Sequence, residues 1–432
     1  MQCIKISLFF TMPIALPFFL CYNFLRKHRE ELLESMKIGI FTDTFYPEIN
    51  GVATSCLNLS QELERRGHEV HVYAPKCKGW EAFQSEHYHY LESAQFILLK
   101  DRNVAFPGVG TIRQALDIHF DVVHTNSEFV MGFLGRYIAR HTGCARVHTY
   151  HTAWEDYTYY ITHGIGDNGA KAVAKHYSEW WCDKFDRVIA PTAKTENLLR
   201  QYGVEAPIEV IPSGMELRRF YPENHSPEEI SETRAECGVP EGKRVLLNIG
   251  RLAREKNIEQ ILRVFPELHR HCPDVHMVII GEGPLKEQLQ SQSRELGVED
   301  WVSIVGAKPW EKIDRYYAIG DVFVSASHSE TQGLTYIEAA ASGLCVCAVN
   351  DPCLLGVFED GVSAILSEDA DEELLNSLIL SFSPLGTSIR KNAVAATRPY
   401  STQQFAQRVE ECYVRAIDSR AKELTPMLRV QI

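Results

Sequence analysis

Residues 36–67 read MKIGIFTDTFYPEINGVATSCLNLSQELERRG. The apolar, β-branched run Lys37–Thr42 predicts a strand. From Gly51 to Arg66 the apolar side chains recur near helical spacing, and Gly67 stops the helix. A strand, a loop and a helix opened by glycine make the first unit of a parallel α/β sheet. The same alternation continues outward. Glu69–Ala74, Val122–His124, Arg146–Tyr150 and Arg187–Ala190 predict further strands, with helices at Met131–His141 and Ala170–Lys184.

A second run of this kind opens at Arg244. Strands are expected at Val245–Ile249, Val275–Ile280, Val302–Val305, Val322–Ser325 and Leu344–Ala348. Helices are expected between them at Asn257–His271, Pro284–Leu296, Trp310–Ile319 and Gln332–Ser342. Two successive runs predict an α/β chain of two Rossmann-like, doubly wound domains facing across a cleft. The first domain is placed at 36–215 and the second at 243–400. The Pro-, Glu- and Ser-rich stretch Pro212–Gly242 reads as the linker, with 216–242 as its body, and the polar tail after about Ser419 reads as loose.

The formal charge of −13 is unevenly spread: residues 36–220 hold 19 Lys and Arg against 22 Asp and Glu, and residues 221–432 hold 21 against 32. An acidic second half and a near-neutral first half argue against nucleic acid as partner. They make the first half the better contact for an anionic membrane. The 12 cysteines include no CxxC pair, and Cys345 and Cys347 fall in an apolar strand, so reduced core thiols are expected and no zinc spacing is found. Residues 1–35 carry an apolar stretch, Ile6 to Leu25, flanked by Lys5 and by Arg26, Lys27 and Arg29. Two readings stand: a membrane anchor that keeps the rest of the chain in the cytoplasm, or a chain whose translation starts at Met36.

The densest chemical signal is Ser-Glu-Thr-Gln-Gly-Leu-Thr-Tyr-Ile-Glu, residues 329–338, running from a strand end into a helix. Eight residues of helix rise about 12 Å, comparable to the distance from a sugar ring to the ribose of its nucleotide carrier. Glu330 is thus expected to bind hexose hydroxyls and Glu338 the ribose, with the amides of Gly333, Leu334 and Thr335 offered to a diphosphate between them. The competing reading makes Glu330 a capping acid and Glu338 an exposed helical residue. Gly250-Arg-Leu-Ala-Arg-Glu-Lys-Asn257 follows another strand. Arg251 suits a bidentate phosphate contact and Lys256 a point charge, together stabilising a leaving diphosphate; Arg254 is a weaker third cation. These cations make a metal ion unnecessary, and no cofactor is expected. Gly281 and Gly283 follow a strand of the same domain, where a backbone can approach a ligand or simply turn.

In the first domain Gly51 opens a helix where phosphate or sugar can come close. The segment His148-Thr-Tyr-His-Thr-Ala-Trp-Glu-Asp-Tyr157 places His151 at a strand end facing the cleft. Trp154, Glu155, Asp156 and Tyr157 read as an acceptor-binding loop, with core packing the alternative. Trp180 and Trp181, among Lys171, Lys175 and Lys184, suit either a lipid interface or a packed amphipathic helix.

Residues 36–55, His148–Tyr157 and Ser329–Glu338 together resemble bacterial family-4 glycosyltransferases, and among them the 1,2-diacylglycerol 3-glucosyltransferases. The resemblance implies the GT-B fold, with a C-terminal helix over 401–420, centred on Thr402–Ala416, that crosses back to the first domain. It implies transfer of glucose from UDP-glucose to diacylglycerol at the cytoplasmic face of the membrane, with retention. It matches Arg251 and Lys256 to the diphosphate pair, Glu330 and Glu338 to the hexose and ribose ligands, His151 to the cleft histidine and Gly51 to the phosphate-approaching glycine. Related transferases that use other donors or acceptors, such as phosphatidylinositol mannosyl or sulfoquinovosyl transferases, are the alternative. A silent sugar-binding scaffold is disfavoured by the intact set of four charged residues.

Overall fold

The structure is a computed structural model that describes residues 35–48, 50–95, 103–151, 167–327, 330 and 332–428. The apolar leader and the residues Trp154, Glu155, Asp156 and Tyr157 lie outside the described residues.

The first half contributes strands β1 (Lys37–Phe41), β2 (Glu69–Pro75), β3 (Tyr88–Leu91), β4 (Ser93–Gln95) and β5 (Asn103–Ala105). It continues with β6 (Val122–Thr125), β7 (Ala145–Thr149), β8 (Arg187–Ala190) and β9 (Ile208–Val210). All but β4 and β5 join one sheet in the order β3-β2-β1-β6-β7-β8-β9, and its neighbours run parallel. The second half supplies β10 (Arg244–Ile249), β11 (Val275–Ile280), β12 (Val302–Gly306), β13 (Val322–Ser325), β14 (Cys345–Val349) and β15 (Ile365–Ser367). Their order is β12-β11-β10-β13-β14-β15, again parallel. Parallel strands with helices on both faces are buried on both faces, which is why β14 and, apart from His276, β11 are apolar, and both are wholly buried. Cys345 and Cys347 fill that core as free thiols.

Chain order reverses twice, between β1 and β6 in one sheet and between β10 and β13 in the other. In a doubly wound sheet the crevice for ligands opens there, beyond the carboxyl ends of the strands. The loops after β1, β6, β10 and β13 therefore decide what the protein can bind.

Two expectations need correction. Residues 216–242 are packed structure rather than a free linker: Leu217, Phe220, Cys237 and Val239 are buried in the second core. Phe220 meets Tyr317 edge-on at 5.6 Å, and Pro227–Glu236 is a helix that opens with proline and is capped by Ser226. The polar tail is also ordered, since the helix Thr402–Leu428 runs well past Ser419.

That last helix packs on the first sheet. Phe405, Ala406, Val409, Cys412, Tyr413 and Ala416 share a core with Met36, Ile38, Ile40 and the helix Gly51–Arg65. Its contacts are polar as well: Tyr413 Oη lies 2.8 Å from His124 Nδ1, and Arg66 Nε donates to Glu410 Oε2 at 2.7 Å. The chain thus passes between the halves twice, near 211–216 and near 398–402. The two passages are bonded to each other, Met215 N to Tyr400 O at 2.9 Å and Thr402 N to Met215 O at 3.1 Å.

Candidate active site

The loop after β1 ends in an N-cap. Asn50 Oδ1 accepts from Ala53 N at 2.9 Å, while Asn50 Nδ2 donates to Thr44 Oγ1 at 2.7 Å. This fixes the start of the helix Gly51–Arg65 and leaves Gly51 at its open end, where an added Cβ would meet nothing within 4 Å. The loop after β13 ends differently. Gly333 caps the helix Leu334–Ala341 in a left-handed conformation, φ 67°, and among the described residues no side chain caps that end. The first amides there stay available to an anion.

Both helix ends line one cavity of about 420 Å³, whose walls include Gly51, Thr54, Leu334, Thr335, Glu338 and Trp310. Two positive helix ends converge on it from opposite halves of the molecule. A second cavity of about 530 Å³ adjoins it and shares Tyr46, Leu57, Arg219 and Trp310.

Glu338 is 5% exposed, and Tyr317 Oη donates to its Oε2 at 2.6 Å. Burial pushes its carboxyl up to about 7, against the opposing pull of the Tyr317 hydrogen bond and the Arg219 guanidinium. Arg219 donates to Asp314 Oδ1 at 2.7 Å and to the Trp310 carbonyl at 2.8 Å, with its guanidinium 5.0 Å from the Trp310 ring centre. Sequence reading missed Tyr317, Arg219 and Trp310, because only the folded chain brings them to Glu338.

The expected division of labour along one helix needs revising. The helix begins at Leu334, so Glu330 precedes it and Glu338 lies about one turn inside. The side chain of Gln332 explains the late start. Its Oε1 accepts from Ser213 N at 3.1 Å and its Nε2 donates to Ser213 O at 3.0 Å, holding the loop out of helical conformation. The separation of the two glutamates is therefore set by a loop and not by helical rise. Glu330 also faces Lys256 directly, Nζ to Oε1 at 2.5 Å. The cation assigned to phosphate and the carboxylate assigned to hexose hold each other.

The loop after β10 carries Lys256 in a short 3-10 turn, Arg254–Lys256, closed by Asn257 at φ 49°. Arg251 and Arg254 are exposed, and Arg251 enters no ion pair among the described residues. Lys256, Glu330, Gly333 and Arg251 lie outside the cavity lining that holds Glu338, Thr335 and Gly51. Gly281 and Gly283 do allow close backbone approach, but to protein: an added Cβ would sit 1.8 Å from the Gly250 carbonyl oxygen and 2.2 Å from that of Leu252. They lock the β10 loop against the β11 loop, with Leu252 N bonded to Glu282 O at 2.9 Å.

On the first half His151 follows β7, and its Nε2 lies 3.0 Å from Asn126 Oδ1. An amide oxygen only accepts, so Nε2 carries the proton and Nδ1 the lone pair. Burial, with His148 nearby, lowers its pKa to about 3, and the ring is neutral at ordinary pH. His148 is buried beside Glu128, Nε2 to Oε1 at 3.2 Å. The tryptophan pair divides. Trp181 is fully buried against Phe133 and Phe185, whereas Trp180 is 44% exposed with Arg136 4.9 Å over its ring. Phe129, Phe133 and Tyr137, four residues apart, are exposed as well, so this face carries an aromatic row. Among the described residues no helix is long and apolar enough to cross a membrane.

Two family models match the chain, Glycosyltransferase Family 4 over residues 49–219 and Glycosyl transferases group 1 over residues 229–397. The alpha-monoglucosyldiacylglycerol synthase of Streptococcus pneumoniae (strain ATCC BAA-255 / R6) is 34% identical over 390 residues, 89% of this chain and 87% of that protein. The enzyme of the same name from Acholeplasma laidlawii is 31% identical over 409 residues, 90% of this chain and 99% of that protein. Among solved structures, Anabaena Alr3699/HepE in complex with UDP and glucose shares the fold at a TM-score of 0.67 and 19% identity, covering 87% of this chain and 99% of that one.

Proposed function

The chain belongs to the family-4 glycosyltransferases of the GT-B fold, and from that premise we propose that it moves glucose from UDP-glucose to the free hydroxyl of 1,2-diacylglycerol with retention at the anomeric carbon. The single observation that carries the reading is the cavity where Glu338 and two helix N-termini converge, beside the Lys256–Glu330 pair. Two glucolipid synthases with these matched lengths support the acceptor.

Each residue then has one task. Glu338, buried and held by Tyr317, accepts from the ribose hydroxyls. The diphosphate sits at the Leu334 and Thr335 amides, with Gly51 leaving room opposite. When the donor enters, the Lys256–Glu330 pair opens: the ammonium turns to phosphate and the carboxylate to hexose hydroxyls. As the bond from C1 to the phosphate oxygen breaks, Arg251 and Lys256 stabilise the charge gathering on the diphosphate. The departing phosphate takes the proton of the acceptor hydroxyl, whose oxygen bonds C1 on the face just vacated. No protein nucleophile and no metal ion is required. His151, neutral and oriented by Asn126, lies near the transferred sugar. The aromatic row Phe129, Phe133, Tyr137 and Trp180, with Arg136, meets the cytoplasmic face of the membrane, where the acceptor resides.

Incubation with labelled UDP-glucose and diacylglycerol in mixed micelles should give one α-glucosyl lipid, identified by mass and by its anomeric coupling constant. Label passing from GDP-mannose and not from UDP-glucose would sink the donor assignment in favour of a mannosyl transferase.

A further inference from the structure

The loop that bears Glu330 is held from the other half of the molecule. Lys194 is the second residue of the helix Ala193–Tyr202, which belongs to the first half and is capped by Thr192. Its ammonium crosses to the second half and donates to the Glu330 carbonyl at 3.1 Å and to the Asp351 carboxylate at 3.2 and 3.3 Å. Asp351 is 2% exposed and is fixed in turn by Cys353 N, 2.8 Å from its Oδ1.

A cation in the first turn of a helix opposes the helix dipole, so the stability of its own helix does not account for Lys194. Its partners do. A buried carboxylate needs a charge or donors to replace water, and here the charge comes from across the cleft. The Gln332–Ser213 pair of hydrogen bonds lies two residues further along the same loop and also reaches the first half. The loop is therefore tied to first-half groups on either side of position 331, through the Glu330 carbonyl and the Gln332 side chain, while the Glu330 carboxylate itself stays with Lys256.

We propose that Lys194 is a positioning residue that couples closure of the two halves to the placement of Glu330 on the donor sugar. The proposal rests on Glu330 being the hexose ligand. With the cleft closed, Lys194 pins the Glu330 carbonyl and its carboxylate meets the hexose. With the halves parted, the loop loses that tether while the Glu338 end of the cavity keeps its Tyr317 support. Sugar alignment then requires closure, whereas nucleotide binding does not.

The test uses the full-length protein and its Lys194→Met and Lys194→Arg variants, with UDP-glucose turnover, UDP affinity by calorimetry and Tm as readouts. Lys194→Met should lose about 10- to 100-fold in kcat, the scale of a misplaced reacting group. Its UDP affinity should stay within about twofold and its Tm near that of the parent, because UDP carries no hexose. Lys194→Arg, which still donates to both partners, should recover most of the rate. In an Asp351→Asn background the effect of Lys194→Met should shrink, as expected of groups in one network. Unchanged kcat in Lys194→Met would overturn the proposal, and so would UDP affinity falling in step with kcat. The two readings fail separately: absence of UDP binding in the parent sinks the donor assignment and the proposal with it, whereas normal UDP binding with an unimpaired Lys194→Met sinks the proposal alone.

Discussion

The two walls of the cleft are built on the same sheet plan but spend their polar groups differently. On the first wall the titratable side chains satisfy one another: His148 with Glu128, His124 with Tyr413 and Thr149, His151 with Asn126. These bonds fix ring orientations, while burial lowers the pKa of His124 and His151. On the second wall charge is held ready for exchange. Lys256 and Glu330 pair in a half-open loop, Arg251 stands exposed, and Glu338 is buried with its carboxyl raised to about 7. One wall is preorganised shape and the other is preorganised charge. In the proposed reaction an anionic donor would call for the second, and a lipid hydroxyl for little more than the first.

Breaking the charged wall should cost most. Lys256→Ala and Glu338→Ala are each expected to lower kcat/KM by roughly 10²- to 10³-fold, the scale of removing a preorganised polar group from the donor site, with circular dichroism unchanged. Full activity in either folded variant would remove that residue from the donor site. On the first wall His151→Ala should cost about 10-fold or somewhat more, since a neutral ring contributes orientation rather than charge; steady-state rates against both substrates would show it. Gly51→Val sharpens the contrast. Space around Gly51 is open, so folding should survive while KM for the donor rises about 10-fold and kcat moves little.

The remaining expected effect is on stability and not on rate. Glu338 has its pKa raised by burial from 4.5 to about 7. Its protonated form therefore favours the folded state: the contribution is fully present below pH 4.5 and is lost as pH rises through 7. Glu338→Gln removes this dependence. Relative to the variant, the parent should lose on the order of 2–3 kcal/mol between pH 4.5 and 8, measured by urea unfolding at the two pH values. A pH-independent difference would mean that Glu338 titrates alike in the folded and unfolded chain.

Much of the fold was legible because parallel strands are short, apolar and β-branched; β8, β11 and β13 match their expected limits to the residue. Helix ends were less so. Leu334 rather than Gln332 opens its helix because Gln332 bonds Ser213, 119 residues away, and no local propensity encodes that. Residues 216–242 looked like a linker from their Pro, Glu and Ser content, yet Leu217 and Phe220 find a pocket beside Tyr317. At the site, residue types around two strand-to-helix connections pointed to Glu330, Glu338 and Lys256 as candidates. Their partners Tyr317, Arg219, Lys194 and Asp351 were hidden, since each is an ordinary residue until the sheets bring it close. Trp154 through Tyr157 lie outside the described residues, so the acceptor reading rests on the likeness around His148–Tyr157 and on the two glucolipid synthase relatives.

The final helix has a consequence for how the chain comes apart. By sequence it trails the second half, but its Phe405, Val409 and Tyr413 complete the core of the first. A cut near residue 240 therefore releases no autonomous piece, because the upstream fragment has lost one flank of its own interior. The molecule is fastened like a belt, its tail tucked against its own first helix. A protease nick in the middle should leave two fragments that co-purify, and a chain shortened before residue 402 should fail at the opposite end from where it was trimmed.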